Sequence, residues 1–563
     1  MSHCRRRSVR SEQVRSQVHI LLVGLSGSGK STVGRLLARQ LERPFIDTDD
    51  ALARRAGRSI PQIFAAEGEQ HFRELEAAEV CAALAGPPAV VSLGGGALMQ
   101  PLTRIRCAQH CLVWLDAPPS VLARRVAPRG DARGRPLLAG IDPVLRLTEL
   151  LAQRRPQYAQ AHVRLDAAQS TEAVLRAAHD ACTHFVAPTA QTLTITTSAT
   201  AQRPRYDVVT GRGILQGLPG LLRERLPARR AYVVSNNVVW PLAGDLLEEA
   251  LAKNLDVSSI EQVDDGEAGK CTAGADRLWT WLAEHGAERG DPVIAFGGGV
   301  TGDLAGFVAA TYLRGVPFVQ IPTTLLAQVD SSIGGKVAVD HPLAKNMIGA
   351  FKAADLVVVD TALLASLPAA QIANGWAEVL KHGVILDAEL FELMEAEAER
   401  FNDLDPDLTL AAVRRSLAIK ARVVEEDEFE QGPRMLLNYG HTLGHAIEAA
   451  TGYGRLLHGE AVSLGMVAAG WMAMRLGLFP EADFRRVEGA LQRLRLPVRL
   501  AGINAAAVLA TMQRDKKVRQ GRVTWVLPRR IGAAIRTADV PPELAALALD
   551  YLQDAGVAAG AGR

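Results

Sequence analysis

The chain has 563 residues, of which 63 are basic and 61 acidic, and a formal net charge of +2. At about 150 residues per domain, this length predicts three or four folding units, each large enough to bury its own core. The balanced charge provides no long-range attraction for nucleic acid or an acidic membrane, so the expected partners are small molecules.

Cysteine spacing and apolar runs predict the cellular setting. The six cysteines show no paired C-x-x-C spacing, which predicts reduced thiols in the cytoplasm. The longest apolar run, 461–474, ends at Arg475. It is too short to cross a bilayer, so it predicts a buried helix and no membrane span.

The order of apolar patterns divides the chain into two halves. Residues 1–17 are rich in arginine and serine and predict a disordered basic arm, with a transit peptide or a misassigned start as alternatives. An apolar strand at 18–23 opens an α/β pattern that fades near Phe185. Small and polar residues then predict a linker, although 192–197 alternate like a strand that could open the second half. The predicted units are 18–185 (α/β), a linker at 186–202, 203–365 (α/β) and 366–563 (mainly helical).

A phosphate-binding motif follows the first predicted strand. GLSGSGKST has Gly24, Gly29, Lys30 and Ser31 at P-loop spacing, and a helical pattern follows it. Glycines let backbone N–H groups surround phosphate oxygens at a helix N-terminus. Lys30 can reach the β and γ phosphates and Ser31 can bind magnesium, so the motif predicts ATP and Mg²⁺.

Further polar residues indicate a phosphoryl acceptor site. Asp47 and Asp49 in FIDTDD stand at a strand end, where one can assist Mg²⁺ and the other can accept a hydroxyl proton. Arg73 and Arg154 can bind a substrate carboxylate, and Arg135 in GDARGRPLL is suited to a lid over ATP. The glycines at 94–96 allow close approach of the backbone to a ligand.

Residues 18–185 resemble shikimate kinase in GLSGSGKST, DTD, GEQHFRELE, GGGA, GRPLL and AQRRPQY. The resemblance implies a P-loop kinase fold that uses Mg-ATP to phosphorylate shikimate. An ATP-sensing module without catalysis is the alternative. The resemblance implies these site residues: Asp49, Arg73, Gly95 and Arg154 for shikimate; Gly27, Gly29, Lys30, Ser31, Thr32 and Arg135 for ATP; Ser31 and Asp47 for Mg²⁺; and Lys30, Asp49 and Arg135 for catalysis.

The second half contains a different nucleotide signature. A strand meets three glycines at 297–299 before a helix whose N-terminus can accept a pyrophosphate. DDGEAGK at 264–270 precedes this turn and IPTTLLAQVDSSIGGK follows it, supplying acids for ribose hydroxyls and threonines for a polar rim. Together these segments predict NAD⁺.

Three histidines in a glycine-rich frame indicate a metal site. His441 and His445 are four residues apart and leave one face of a helix, and His458 comes from the next element. Glu378 is the best carboxylate candidate for completing the ligand set. Many cations surround these residues in sequence and predict a doubly anionic substrate: Arg314, Lys336, Lys345, Lys381, Lys420, Arg434, Lys516 and Lys517.

Residues 192–552 resemble 3-dehydroquinate synthase in DGE, GGGVTGD, PTTLLAQVDSSIGGK, KNMIGAF, AEVLKHG, LLNYGHTLGHA, LHGEAV and RDKK. The resemblance implies an α/β NAD-binding domain and a mainly helical metal domain. It implies Zn²⁺ (or Co²⁺) on Glu378, His441 and His458, which leaves His445 as a non-ligand. The implied reaction is cyclisation of 3-deoxy-D-arabino-heptulosonate 7-phosphate with loss of phosphate.

The same resemblance implies the other site residues and a possible homodimer through the C-terminal half, with Arg314 acting from a neighbouring subunit. The alternatives are a related sugar-phosphate cyclase or a metal-dependent polyol dehydrogenase. Val337, Asp340 and Ala344 depart from the family pattern. The implied residues are Glu267, Lys270, Gly298, Gly299, Val300, Asp303, Thr323 and Thr324 for NAD⁺; Arg314, Asp330, Lys336, Lys345, Asn346, Lys420, Arg434, Asn438, His445 and Lys517 for substrate; and Lys336, Lys381 and His445 for catalysis.

Overall fold

The computed structural model describes residues 18–553 except 109, 127–141, 186–189, 197–204, 227, 229, 253–255, 343, 431, 453, 514–517 and 520–521. The predicted basic arm, Arg135 of the predicted lid, Lys517 and most of the predicted linker lie outside the described residues. Among the described residues, no helix combines the length and apolar character needed to span a bilayer.

The first unit contains a parallel five-stranded sheet with strand order β2-β3-β1-β4-β5. Its central strand is buried along its whole length, because a parallel sheet carries helices on both faces. Ile20 pairs with Val90 on one side and with Cys111 on the other. The strands are β1 (Ile20–Val23), β2 (Phe45–Asp47), β3 (Val90–Ser92), β4 (Cys111–Asp116) and β5 (Val163–Asp166).

Helices of the first unit alternate with these strands, as the sequence pattern predicts for an α/β fold. The 26-residue helix α3 bends at Gly68, which has a φ of 81°. The helices are α1 (Lys30–Gln40), α2 (Thr48–Ala56), α3 (Ile60–Ala85), α4 (Pro101–Cys107), α5 (Pro119–Val126), α6 (Pro143–Tyr158) and α7 (Thr171–His184).

A seven-stranded sheet with order β6-β7-β14-β11-β10-β8-β9 organises the second unit. Its edge strand β6 is antiparallel to β7 and lies inside the segment assigned to a linker. The strand order reverses between β8 and β10, and ligands of such sheets bind outside the carboxyl ends at that point. The strands are β6 (Gln191–Thr196), β7 (Arg205–Gly211), β8 (Arg230–Asn236), β9 (Asp256–Val263), β10 (Val293–Gly297), β11 (Phe318–Pro322) and β14 (Leu356–Asp360).

Helices cover both faces of the second sheet, and an antiparallel hairpin of two strands extends from it. The hairpin consists of β12 (Lys336–His341) and β13 (Ala344–Phe351). The helices are α8 (Leu218–Arg225), α9 (Val239–Leu251), α10 (Thr272–Glu284) and α11 (Gly299–Thr311).

From Ala369 onward the chain is mainly helical. The apolar run predicted as a buried helix lies in α17, and most of its side chains are fully buried. The helices are α12 (Ala369–Leu386), α13 (Ala388–Ala396), α14 (Ala398–Asn402), α15 (Pro406–Glu426), α16 (His441–Ala450), α17 (His458–Arg475), α18 (Glu481–Arg493), α19 (Ala505–Gln513) and α20 (Pro542–Gln553). Two short two-stranded sheets accompany them: β15 (Val518–Arg519) pairs with β16 (Arg522–Val523), and β17 (Trp525–Arg530) pairs with β18 (Ala533–Thr537).

Candidate active sites

The P-loop joins β1 to α1 in the conformation that phosphate binding requires. Gly29 caps the helix with a φ of 92°, in the left-handed region that favours glycine. Gly27 has a φ of 87°, and a Cβ there would lie 2.9 Å from the Leu122 carbonyl oxygen. Lys30 Nζ donates to the Gly24 carbonyl oxygen at 2.7 Å. The glycines therefore form a cradle that fits ATP phosphates at a helix N-terminus.

Ser31 and Asp47 meet beside this loop. Ser31 Oγ donates to Asp47 Oδ2 at 2.6 Å, and the other carboxylate oxygen accepts from the backbone N–H of Asp49 at 3.2 Å. Asp47 thereby caps α2 and keeps one oxygen directed at the serine. A hydroxyl and a carboxylate in this arrangement supply the oxygen ligands that Mg²⁺ prefers.

A cleft of about 660 Å³ joins the P-loop to the candidate acceptor site. Every described residue that the resemblance assigns to ATP, Mg²⁺ or shikimate lines it. These residues are Gly27, Gly29, Lys30, Ser31, Thr32, Asp47, Asp49, Arg73, Gly95 and Arg154.

The two candidate carboxylate-binding arginines are nearly buried, with 8% of Arg73 and 8% of Arg154 exposed. Arg154 donates to the Gly95 carbonyl oxygen at 2.8 Å. A Cβ on Gly96 would lie 2.0 Å from an Arg73 nitrogen. The glycine turn is therefore required for space, because any side chain there would displace the arginine.

Glu76 belongs to this site, although the sequence reasoning did not single it out. It accepts from Arg73 at 2.7 Å and is 2% exposed. Burial raises the pKa of the Glu76 carboxyl, although Arg73 opposes the shift. The three-residue spacing of Arg73 and Glu76 in GEQHFRELE was the available signal, because residues three apart meet on one helix face.

The candidate NAD site lies where β10 runs into α11. The helix begins at Gly299, and a Cβ on Gly298 would lie 3.2 Å from Thr324. Thr323 Oγ1 is buried and makes no hydrogen bond among the described residues. These features fit a dinucleotide. The N-terminus of α11 has no side-chain cap, Thr324 is close to Gly298, and the buried Thr323 hydroxyl lacks a hydrogen-bond partner among the described residues.

Lys270 connects three segments of this region. Its ammonium group donates to Asp303 Oδ2 at 2.6 Å and to Asn346 Oδ1 at 2.6 Å, and the residue is 3% exposed. The structure thus brings Asn346, assigned to substrate phosphate, against two residues assigned to NAD. Asp340, which departs from the family pattern, accepts from the Asn346 backbone N–H at 2.7 Å.

Glu378, His441 and His458 converge as a candidate metal centre. Glu378 is fully buried, and its Oε1 lies 3.5 Å from Nε2 of His441 and 3.5 Å from Nε2 of His458. Donors held about 2.1 Å from a tetrahedral zinc ion are about 3.4 Å apart, so these separations fit zinc.

The hydrogen bonding of Glu378 supports the same interpretation. Lys381 and both histidines are within ion-pair range of its carboxylate, yet neither oxygen makes a hydrogen bond of ordinary geometry with a described residue. Burial alone raises the pKa of Glu378, but Lys381 and the histidines outweigh it and hold the pKa well below its usual range. A buried, ionised carboxylate beside two imidazole nitrogens is suited to a metal cation.

Surrounding groups orient both histidines. His441 Nδ1 lies 3.1 Å from the Tyr439 carbonyl oxygen, and His458 Nδ1 lies 3.8 Å from Glu448 Oε2. Such contacts leave Nε2 of each ring available as a ligand. One ring nitrogen of His445 also lies within 4.8 Å of one ring nitrogen of each of the other two histidines.

Candidate substrate residues lie on the other side of Glu378. Lys420 Nζ donates to Asp330 Oδ1 at 2.6 Å, and a carboxylate oxygen of Asp330 lies within 4.8 Å of one of Glu378. Burial acts to raise the pKa of Asp330, but the Lys420 ammonium holds it below its usual range. Arg434 is 4% exposed and donates to the Glu428 carbonyl oxygen at 2.6 Å.

Two acidic residues that the sequence reasoning did not assign contact the predicted cations. Glu430 pairs with Lys336 and accepts from Asn438 at 2.7 Å. Glu448 accepts from Lys345 at 3.0 Å. Sequence spacing provides little signal for either contact, because the partners are far apart along the chain.

Arg314, a predicted substrate residue, lies away from the glycine turn 297–299 of its own chain. It is exposed just beyond the C-terminal end of α11. Because a 13-residue helix is about 20 Å long at about 1.5 Å per residue, Arg314 lies about that far from the glycine turn.

Comparisons with known proteins agree with this architecture. Residues 26–183 match the shikimate kinase family, residues 260–374 match the 3-dehydroquinate synthase N-terminal family and residues 375–518 its C-terminal family. The 3-dehydroquinate synthase of Nitrosomonas europaea is 44% identical over 339 residues, which cover 60% of this chain and 92% of the relative.

Two solved structures are similar to separate parts of the chain. The 2-epi-5-epi-valiolone synthase from Streptomyces hygroscopicus, with NAD⁺ and Zn²⁺ bound, is 31% identical with a TM-score of 0.58, and the match covers 63% of this chain and 98% of that protein. A shikimate kinase from Acinetobacter baumannii in complex with shikimate is 34% identical with a TM-score of 0.28, covering 31% of this chain and 93% of that protein. The chain therefore belongs to the 3-dehydroquinate synthase family and carries, in residues 26–183, a domain of the shikimate kinase family.

Proposed function

We propose that this chain is a bifunctional enzyme of the shikimate pathway. Its first unit transfers a phosphoryl group from ATP to the 3-hydroxyl of shikimate. Its second half converts 3-deoxy-D-arabino-heptulosonate 7-phosphate to 3-dehydroquinate and phosphate. The observation that carries the second assignment is the buried Glu378 carboxylate, which lies 3.5 Å from one nitrogen of each of two histidines and pairs with Lys381.

In the kinase unit, Arg73 and Arg154 bind the shikimate carboxylate. Asp49 accepts the proton of the attacking hydroxyl, and Lys30 stabilises the charge that develops on the transferred phosphoryl group. Ser31 and Asp47 hold Mg²⁺, and Arg135 covers ATP. The shared lining of one cleft supports the roles of the residues that the structure describes, which exclude Arg135.

In the synthase half, bound NAD⁺ supplies a reversible hydride acceptor and bound Zn²⁺ or Co²⁺ a Lewis acid that acidifies adjacent hydroxyls. Glu378, His441 and His458 hold the metal. Lys420 and Arg434 bind the substrate carboxylate, while Lys336, Lys345 and Asn346 bind phosphate. Asp330, Lys381 and Asn438 contact hydroxyls, and His445 transfers protons.

A related sugar-phosphate cyclase is the second candidate for this half, because the similar valiolone synthase is 31% identical. The two cations assigned to the substrate carboxylate, Lys420 and Arg434, distinguish the two candidates. Lys420 and Arg434 are both nearly buried, 6% and 4% exposed, and a charge-assisted bond from a buried cation favours an anionic substrate group. A cyclase acting on a neutral sugar end does not need two such cations.

The test measures phosphate release from the heptulosonate phosphate with and without NAD⁺ and chelator. We expect release to require NAD⁺ and to stop with chelator or with Glu378→Gln. Arg434→Met should also stop it, because the substrate carboxylate loses its partner. Unchanged turnover in Arg434→Met would count against the assigned carboxylate contact, and absence of release by the wild type would favour the cyclase alternative.

We also propose a homodimer formed through the second half. Arg314 is exposed about 20 Å from the glycine turn of its own chain by helix length, so a neighbouring subunit can supply it to the phosphate. Light scattering of the wild type and activity of mixed Arg314→Ala and Lys336→Ala subunits test this. Restored activity on mixing supports a shared site.

A cytoplasmic location is part of the proposal. The described cysteines are free thiols, a state that a reducing compartment maintains. Localisation of a tagged chain by microscopy tests it.

A further inference from the structure

Two arginines cross the boundary between the kinase unit and the NAD-binding unit in opposite directions. Arg104 of α4 donates through Nε to the Ala365 carbonyl oxygen at 2.5 Å. Arg212, which follows β7, donates to the carbonyl oxygens of Ala108 at 3.2 Å and Gln160 at 3.3 Å. Each unit thus supplies a guanidinium group to backbone carbonyls of the other.

The accepting carbonyls include those at helix ends, which have no partner within their own helix. Arg104 also donates at 2.8 Å to each of the Leu98 and Met99 carbonyl oxygens, at the end of the short 3-10 helix Ala97–Met99. Ala365 is in the last turn of a second 3-10 helix, Thr361–Ser366. Arg104 therefore caps one helix from each unit at the same time.

Arg212 is buried, with 8% of it exposed, and Arg104 is half-buried. Burial lowers the pKa of Arg104 to about 10 and that of Arg212 to about 10. A buried cation must keep all of its hydrogen-bond acceptors, because an unsatisfied one is costly. A shift of one unit against the other would remove acceptors from both arginines, so this interface has one favoured alignment.

A short segment of chain connects the interface to the candidate shikimate site. The 3-10 helix Ala97–Met99 directly follows the glycine turn 94–96, where the Gly95 carbonyl oxygen accepts from Arg154 and Tyr158. On the other side, Asp360 accepts from the backbone N–H groups of Ala362 at 2.9 Å and Gly213 at 2.7 Å. Asp360 thus ties the Ala365 helix to the residue next to Arg212.

We infer that the synthase half positions the shikimate-binding turn of the kinase, with Arg104 as a positioning residue and Arg212 holding the alignment from the other side. This inference rests on the proposed kinase function. The turn contacts the carboxylate-binding arginines, whereas the P-loop lies between β1 and α1. Loss of alignment should therefore raise KM for shikimate and leave KM for ATP nearly unchanged.

A third contact in the same interface provides a matched control. Arg106, also on α4, makes two hydrogen bonds with Glu249 at 2.7 and 3.0 Å, and Glu249 is half-exposed. An exposed ion pair contributes little to stability, and neither residue contacts the carbonyls of the glycine turn or the 3-10 helix that follows it. Glu249→Gln should leave the kinetics of the kinase at wild-type values.

The experiment compares full-length wild type, Arg104→Met, Arg212→Met, Arg212→Lys and Glu249→Gln in shikimate-dependent ADP formation. We expect Arg104→Met and Arg212→Met to raise KM for shikimate about tenfold, the equivalent of one charged hydrogen bond. KM for ATP should stay within about twofold, since the P-loop is untouched. Arg212→Lys keeps the charge but cannot reach both carbonyls, so an intermediate KM is expected.

Phosphate release by the synthase half of each sample reports folding. If Arg212→Met is inactive in both assays, Arg212→Lys provides the decisive KM. A wild-type KM for shikimate in the folded Arg212 variants would overturn the inference, as would an equal rise of both KM values in Arg104→Met. Absence of shikimate turnover in the wild type would instead contradict the proposed kinase function.

Discussion

Lys345 and Glu448 form an ion pair, with 3.0 Å between Nζ and Oε1, and the second Glu448 oxygen lies 3.8 Å from Nδ1 of His458. Lys345, which the resemblance assigns to substrate, is therefore connected to a candidate metal ligand. Burial acts to raise the pKa of Glu448, but His458 and Lys345 hold it at about 2. The carboxylate stays ionised and can orient the imidazole.

Replacement of Glu448 should weaken metal binding. Glu448→Gln removes the charge that orients His458 and should reduce metal affinity about 10- to 100-fold. Competition with a chromogenic chelator measures the affinity. Glu395→Gln is the control, because Glu395 pairs with Arg486 in the same half. Equal metal affinity of Glu448→Gln and wild type would contradict the orienting role.

Lys30→Met should abolish the kinase and spare the synthase. Loss of the ammonium removes stabilisation of the transferred phosphoryl group, so shikimate-dependent ADP formation should fall at least about 100-fold. Phosphate release from the heptulosonate phosphate should remain at the wild-type rate. A wild type that binds ATP without shikimate turnover would favour the sensing module instead.

A methyl group at Gly96 should disturb shikimate binding. A Cβ there would lie 2.0 Å from Arg73 Nη1 and 2.7 Å from Nη2, so Gly96→Ala must displace the guanidinium. KM for shikimate should rise about 10- to 100-fold, as expected for loss of a charge-assisted pair. Gly86→Ala is the control, because its Cβ would meet only the Ala83 carbonyl oxygen within 4 Å, at 3.5 Å. Similar KM values for shikimate in Gly96→Ala and Gly86→Ala would count against the assignment of Arg73 to the shikimate carboxylate.

Protonation of His110 should lower the free energy of unfolding as pH falls. Burial, with a smaller effect of His19, lowers the pKa of His110 from 6.5 to about 4, and its Nδ1 is buried without a hydrogen bond among described residues. The unfolded chain therefore takes up the proton first. The contribution of neutral His110 is complete above pH 6.5 and is lost as pH falls toward 4, by up to about 3 kcal/mol.

Urea unfolding of wild type and His110→Phe between pH 7.5 and 4.5 tests this expectation. The variant cannot bind the proton, so its free energy of unfolding should depend less on pH over this interval. His71→Phe is the control, because His71 has a side chain that is 44% exposed. Parallel pH profiles for wild type and His110→Phe would show that His110 does not titrate on unfolding.

Features that depend only on residues adjacent along the chain could be predicted from the sequence. The P-loop, the glycine turns at 94–96 and 297–299, and the histidines of α16 and α17 each lie within a short segment. Their backbone conformations follow from glycine freedom, strand burial and helix periodicity, which are local. The fold class, both families and the cofactors could therefore be predicted from these segments.

Only the tertiary structure decided which distant groups meet. Glu430 and Glu448 became site residues because segments remote in sequence pack against Lys336 and Lys345. Alternation at 192–197 indicated a strand, and the tertiary structure added its partner, because pairing with β7 satisfies the backbone hydrogen bonds of β6. The hydrogen bonds that Arg104 and Arg212 make across the unit boundary likewise depend on how two folded surfaces align. No local sequence pattern encodes a contact between residues that are 261 positions apart.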